Sequence, residues 1–401
     1  MKTAKQKTTA VVAATAGLAM ALAACGSSGG NSANSGGGGG SGSGQLIVGA
    51  IAGTTGAYGS TGQAVINGTK MAVDKINSSG GVLGKQIKLM WANDGASATT
   101  SALNFKKFAS AGAIAMLGSP DTATTTVALA DSMHLPDLGA IDDGGPSIYP
   151  NGPSKPPAPW AWSNSLNTYA WGQIVGEYAT KNCPNGLAVL HDPTFYGLGG
   201  LAGIQESYHS SLKLNDSISE DWSSGSTASL DSEINNIKQS GASCVDVWLT
   251  PQDQAAFVNE MHSLGDSFTV LGNDETSADN TFAKLAGNNA NGMYSAVLTS
   301  AYRPNAKVKA FANADKQRFG IETTPFAELS YDAVFMLAQA IKAGNSTSPT
   351  SIQTQLNKIS NYPGLTGSLT FTPQQHVTIN AAQLTLVKYD TSKQAWEPAS
   401  S

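Results

Sequence analysis

Charge is scarce in this chain: 13% of its 401 residues are Asp, Glu, Lys or Arg, and the net charge is −5. That excludes the basic footprint of a nucleic-acid-binding protein and the polybasic patch that holds a protein on an anionic bilayer. Histidine is equally sparse, and none of the five stands in a ligand-type spacing, so a metal centre has little support. There is no G-x-S-x-G elbow, no zinc motif and no evident nucleophile–base pair, which leaves hydrolytic chemistry without its machinery. Long apolar runs are missing too: residues 10–22 form an apolar stretch too short to span a bilayer.

That short run is informative in its place. Lys2, Lys5 and Lys7 precede it, giving the positive and apolar regions of a secretion signal. It ends in Leu22-Ala23-Ala24-Cys25, which resembles the lipobox of bacterial lipoproteins and implies that the Cys25 thiol accepts a lipid. Ordinary cleavage beside an incidental cysteine is the alternative. Residues 26–44 are Gly, Ser and Asn with a single Ala, without charge or aromatics. Such a tract has a root-mean-square reach on the order of 25 Å. The expected layout is a signal peptide over 1–24, then a lipidated Cys25 and flexible linker over 25–44.

The folded part is organised around residues 46–94, one unbroken βαβ unit. Residues 46–51 are a short apolar run bounded by Gly, as a strand buried on both faces requires. A loop with Gly53, Gly56, Gly59, Thr54, Thr55 and Tyr58 follows. A helix is expected over 63–77, with Val65, Thr69, Ala72, Val73 and Ile76 as its apolar stripe. Residues 86–91 give the next strand, closing on Asn93-Asp94. Reading GGVLGKQ as a phosphate loop fails, because Ser79 replaces its first Gly and Gln86 its Ser/Thr. Downstream, strand–helix pairs recur, and a length of 401 residues favours two cores over one.

IVGAIAGTTGAYG, AVDKINSSGGVLGKQIKL and the Asp after the second strand, in this order, resemble the type I periplasmic solute-binding proteins of the branched-chain amino acid and amide importer branch. The resemblance implies an α/β fold: two doubly wound parallel-sheet lobes joined by a three-crossover hinge, closing as a clamshell. It implies an N-lobe of 45–165 plus 297–364 and a C-lobe of 166–296 plus 365–401. A closing β-hairpin is expected from strands at 365–371 and 382–389.

The same resemblance suggests a ligand site, which open α/β sheets build at the carboxyl ends of their strands. Thr122 and Thr124, ahead of a helix expected from 127, are expected to meet a ligand carboxylate, with N-capping as the alternative. Tyr58 and Tyr196, the latter in a D…YG turn, would cover the ligand. Asp274, with Glu275 as fallback, would hold an ammonium group, against the alternative of an exposed helix cap. Asp142 and Asp143 depart from the family at a turn where relatives carry small or hydroxyl residues. There they would repel an anion if they pointed inward.

Cys183 and Cys244 are an even pair in an exported chain, each just before a strand, and the first and third strands of a doubly wound sheet are neighbours. A disulfide is expected, with two buried thiols as the alternative. The whole describes a lipid-anchored receptor on the outer face of a bacterial membrane, delivering an amino-acid-like or amide-like solute to an ABC permease and its ATPases. No catalysis, cofactor, metal or nucleic acid is expected, the only membrane contact is the lipid, and the protein should be a monomer. A ligand sensor for a signalling receptor and, less well supported, an exported α/β hydrolase are the alternatives.

Overall fold

The computed structural model describes residues 44–399 apart from 57–58, 140–146, 153–154, 166, 220, 223–227 and 279. The signal sequence, Cys25, the linker up to residue 43, Tyr58, Asp142 and Asp143 lie outside the described residues. Among the described residues no helix is long and apolar enough to cross a membrane.

Two sheets organise the unit from Ser43 to Ser401. The first comprises β1 (Leu46–Ala52), β2 (Ile87–Asn93), β3 (Ala115–Leu117), β4 (Asp137–Gly139) and β5 (Ala161–Ser163). They run parallel in the order β2-β1-β3-β4-β5. Helices α1 (Gly59–Ser78), α2 (Ala98–Ser110) and α3 (Ala123–Met133) connect them. After α4 (Thr168–Asn182) come β6 (Leu187–His191), α5 (Phe195–Ser207), β7 (Leu214–Ser217), α6 (Ala228–Ser240), β8 (Cys244–Trp248), α7 (Pro251–Ser263) and β9 (Thr269–Gly272). Two short helices, α8 (Glu275–Ala278) and α9 (Thr281–Ala286), lead to β10 (Tyr294–Leu298). These strands repeat the parallel order as β7-β6-β8-β9-β10.

The chain then returns to the first sheet through α10 (Thr299–Tyr302), α11 (Ala306–Phe319), α12 (Pro325–Gly344) and α13 (Pro349–Leu356). Helix α12 packs on α1 so closely that a side chain at Gly68 would collide with the Ala327 carbonyl. Only glycine permits that approach. Thus a helix from late in the sequence completes the cover of the first sheet.

Burial follows from the strand period. In β1, Leu46, Val48, Ala50 and Ala52 face one core cluster, while Ile51 faces another with Phe105, Phe108 and Met116. Both faces being covered, the strand must be apolar at every position rather than alternately. Each large aliphatic side chain so buried stabilises the fold by about 1.5–3 kcal/mol.

The structure revises several expected boundaries. Helix α1 begins at Gly59, four residues before the expected 63, because Gly62 lets its first turn press on the Gly53 carbonyl. Helix α3 begins at Ala123, extending a 3-10 turn over Pro120–Thr122, so Thr124 lies inside the helix. The expected terminal hairpin does not form. Instead β11 (Tyr362–Pro363) pairs with β12 (Ser368–Leu369), while β13 (Leu384–Asp390) joins β10 antiparallel and pairs with β14 (Ala395–Pro398). Residues 376–378 stay with the first sheet: Ser163 N donates to His376 O at 2.7 Å, and Thr378 Oγ1 donates to Asn164 Oδ1 at 2.7 Å. The third passage between sheets therefore falls between Thr378 and β13, later than a boundary at 364/365. Alternating apolar residues mark both strands of such a segment, but not their partners.

Cys183, at the end of α4, is joined to Cys244, the first residue of β8, with Cα atoms 5.7 Å apart. Two residues beyond Cys244, Asp246 is fully buried and neither carboxylate oxygen has a hydrogen-bond partner among the described residues. Burial raises its pKa well above the ordinary carboxylate range. A raised acid is no burden below its unfolded pKa of about 4, and costs stability as the pH climbs toward its folded value. Asp246→Asn should therefore melt about 2–5 °C above the parent at pH 8, with the gap closing toward pH 4. Differential scanning calorimetry at both pH values checks this; a gap independent of pH would mean that Asp246 does not titrate as a buried neutral acid.

Candidate ligand-binding site

The carboxyl ends of the parallel strands carry the polar residues the sequence singled out. On the second sheet, Asn273 follows β9 and is fully buried. Its Nδ2 donates to Leu249 O at 2.8 Å, and its Oδ1 accepts from Glu275 N at 3.1 Å and Thr276 N at 3.3 Å. Asn273 thereby ties the end of β8 to the first turn of α8. Gln254 reinforces the tie by donating to Leu249 O at 2.7 Å and accepting from Thr276 Oγ1 at 2.5 Å. Asp274 sits between these anchored neighbours, so its backbone direction is fixed.

Asp274 is 2% exposed, which removes the alternative of an exposed helix cap. Its Oδ1 accepts a 2.5 Å hydrogen bond from the Tyr196 hydroxyl, and Oδ2 has no partner among the described residues. Burial pushes its pKa up to about 6, against the opposing pull of the Tyr196 hydroxyl and of backbone N–H groups. Tyr196 comes from the start of α5, where Thr194 accepts from Tyr196 N at 3.2 Å as the helix cap. The Tyr196 ring meets Trp248, the last residue of β8, edge-on at 5.7 Å. The structure thus brings Tyr196, Asp274 and Glu275 together, from sequence positions 78 residues apart.

On the first sheet, Thr122 is buried and does not cap α3 with its side chain. Its hydroxyl donates to Asp94 Oδ2 at 3.0 Å and stands 2.8 Å from Ser101 Oγ. One hydroxyl has one proton, and a carboxylate can only accept, so that proton is committed to Asp94. Thr124 Oγ1 lies 3.4 Å from Ser147 Oγ. Beside them, Ser119 is fully buried with an unpartnered Oγ among the described residues. Side chains placed at Gly53 would strike Asp121, and at Gly62 would strike Gly53, so the loop after β1, the turn after β3 and the start of α1 are in contact.

The two sides meet through Thr61, whose Oγ1 donates to Glu275 Oε1 at 3.5 Å. Glu275 is 5% exposed, so this contact is shielded from water. Sequence reasoning missed Asp94 as a site residue, along with Thr61, Ser119 and Asn273. Asp94 was visible as the residue ending β2, but its grip on Thr122 spans 28 positions and has no local signal. Among the described residues no cluster of three His, Cys, Asp or Glu side chains could hold a metal ion.

Losing the Tyr196 hydroxyl should push the Asp274 acid higher still, because the one side-chain hydrogen bond that favours its charged form would be gone. In Tyr196→Phe, carbon-13 NMR of labelled aspartate should show a carboxyl titrating above about 6. A titration lower than in the parent would contradict the pairing.

Residues 45–394 match the sequence model of the periplasmic binding protein family. A Leu/Ile/Val-binding protein, BraC3, of Rhizobium johnstonii is 24% identical over 366 residues, covering 87% of this chain and 92% of that protein. The crystal structure of a periplasmic binding protein type 1 from Bordetella pertussis superposes with a TM-score of 0.80 at 20% identity, covering 88% of this chain and all of that one (100%). LivJ of Streptococcus pneumoniae, a branched-chain amino acid transporter substrate-binding protein solved with isoleucine, gives a TM-score of 0.74 at 20% identity, covering 88% and 99%. The chain belongs to the periplasmic binding protein family.

Proposed function

We propose that this member of the periplasmic binding protein family is the extracytoplasmic receptor of an ABC importer, closing two lobes over a small amino-acid-like or amide-like solute. The observation that carries the reading is Asp274: a carboxylate held rigidly at a strand end, nearly sealed from solvent, with one oxygen on Tyr196 and the other unpartnered. A charge buried without a partner is costly, and a ligand ammonium offsets that cost with a charge-assisted hydrogen bond of about 1.5–3 kcal/mol. The ligand's acidic end would then lie at the turn before α3, where helix amides and the Ser119 hydroxyl are available and Thr122 is already engaged.

The named relatives include Leu/Ile/Val-binding proteins, which favours an amino acid as the solute. The polar groups of the site brace one another or face the proposed ligand position, as a binding role requires. The Thr61–Glu275 contact across the two sides offers the differential stabilisation that a closing clamshell needs. Handover would be to a membrane permease and its ATPases, with the receptor held at the membrane by a lipid on Cys25.

Asp274→Asn should weaken an α-amino acid ligand by about 10–100-fold while leaving its des-amino analogue within about threefold. Affinity for the amino acid in the parent should also fall as the pH drops below about 6, where Asp274 takes up a proton. Isothermal calorimetry across that range tests both, and an unaltered preference in the variant would sink the assignment. Separately, Cys25→Ser should shift the protein from the membrane fraction to the medium or soluble fraction. Equal incorporation of labelled palmitate by both forms would overturn the lipid anchor.

A further inference from the structure

A cavity of about 240 Å³ lies beside Asp274, walled by the apolar Ala278, Leu298 and Pro325 and lined also by Trp171 and Trp396. Four of the lining residues, Thr323 among them, carry a side-chain atom buried without a hydrogen-bond partner among the described residues: Asp274 Oδ2, Trp171 Nε1, Trp396 Nε1 and Thr323 Oγ1. Trp171 is 1% exposed and Asp274 2%, so neither group is rescued by bulk water. Buried polar groups in native structures are almost always paired, and those left open at a cavity point to what fills it.

The open atoms are of opposite kinds. A carboxylate oxygen only accepts and an indole N–H only donates, while the Thr323 hydroxyl can do either. An ammonium answers Asp274 but leaves both indoles unpaired. An aliphatic side chain leaves them unpaired as well, at the cost of two buried donors. A side chain ending in a carboxylate would accept from the indoles, but it would bring a second negative charge beside Asp274 in a poorly solvated space. An uncharged acceptor remains. A carboxamide supplies one in its carbonyl oxygen, which has two lone pairs, and its NH2 can donate to the second lone-pair position of Asp274 Oδ2.

We propose that this cavity is a specificity subsite for a carboxamide, making the solute an amino acid of the asparagine or glutamine type. The inference rests on the reading of the cleft as an amino-acid site and narrows it. Trp171 and Trp396 then set specificity by donating to the ligand's side-chain carbonyl, while Asp274 holds its nitrogen.

Leucine, asparagine and aspartate have nearly the same shape and differ at the side-chain tip as apolar, neutral acceptor and charged acceptor. Calorimetry on the parent should show asparagine binding at least about tenfold tighter than either of the others, the value of one satisfied buried hydrogen bond. Trp171→Phe and Trp396→Phe keep an aromatic ring but lose the N–H. Each should reduce the asparagine preference over leucine by about three- to tenfold without weakening leucine. Using two variants keeps the test available if one fails to fold, as judged by circular dichroism. Tighter binding of leucine than asparagine by the parent would overturn the subsite and leave the amino-acid reading standing. So would an asparagine preference unmoved in both folded variants. Binding of none of the three would overturn both.

Discussion

A parallel sheet has to be covered on both faces, and nearly everything else in this protein follows from that requirement. Its strands are joined by helices that must cross over it, so strand ends of one polarity collect on one side. Here the requirement is met twice, by two sheets whose five parallel strands follow corresponding orders. Among the described residues, the loops after β1, β3, β6, β8 and β9 are consequently where polar groups gather near the sheet centres without breaking the core. The cover is not local in sequence: α12 seals the first sheet against α1, with Gly68 set against Ala327. A chain that must return to the first sheet also links the two sheets more than once.

Within that frame the polar residues fall into braces and open groups. Asn273, Gln254 and Thr276 form a buried set in which the protein's own atoms answer one another. Thr122, Asp94 and Ser101 form another on the first sheet. Asp274 Oδ2, Ser119 Oγ and the Trp171 and Trp396 indoles are among the open ones. A brace costs little once satisfied, whereas an open buried group is a standing penalty that a bound molecule removes. The rigid residues thus hold the unsatisfied ones in place, as the proposed ligand site requires.

The buried acids show the same logic applied to pH. Asp246 and Asp274 are both raised by burial, but only Asp274 has a hydrogen-bond donor, Tyr196, aimed at it. Asp246 sits in the middle of β8 between apolar strands, where ionisation would be penalised without recompense. Asp274 lies just past the end of β9 and beside the cavity. The difference is one of position along the strand rather than of residue type.

The sequence by itself determined the α/β class, the first βαβ unit, the placing of the cysteine pair at the start of neighbouring strands, and Tyr196 and Asp274 as residues near strand ends. Those features have local signatures: a run of apolar residues set by two-sided burial, a 3.6-residue stripe, glycine where the backbone turns. Only the tertiary structure decided the partners. Nothing near Thr122 indicates that Asp94 and Ser101 take its hydroxyl, and nothing near Asn273 that it anchors two strands through Leu249. Nor does the pattern at 365–371 and 382–389 say that these strands part, one to β11 and the other to β10. Period and propensity act along the chain, within a few residues. Hydrogen-bond pairing and the burial of a charge depend on what the fold brings alongside, and that is a property of the packed molecule alone.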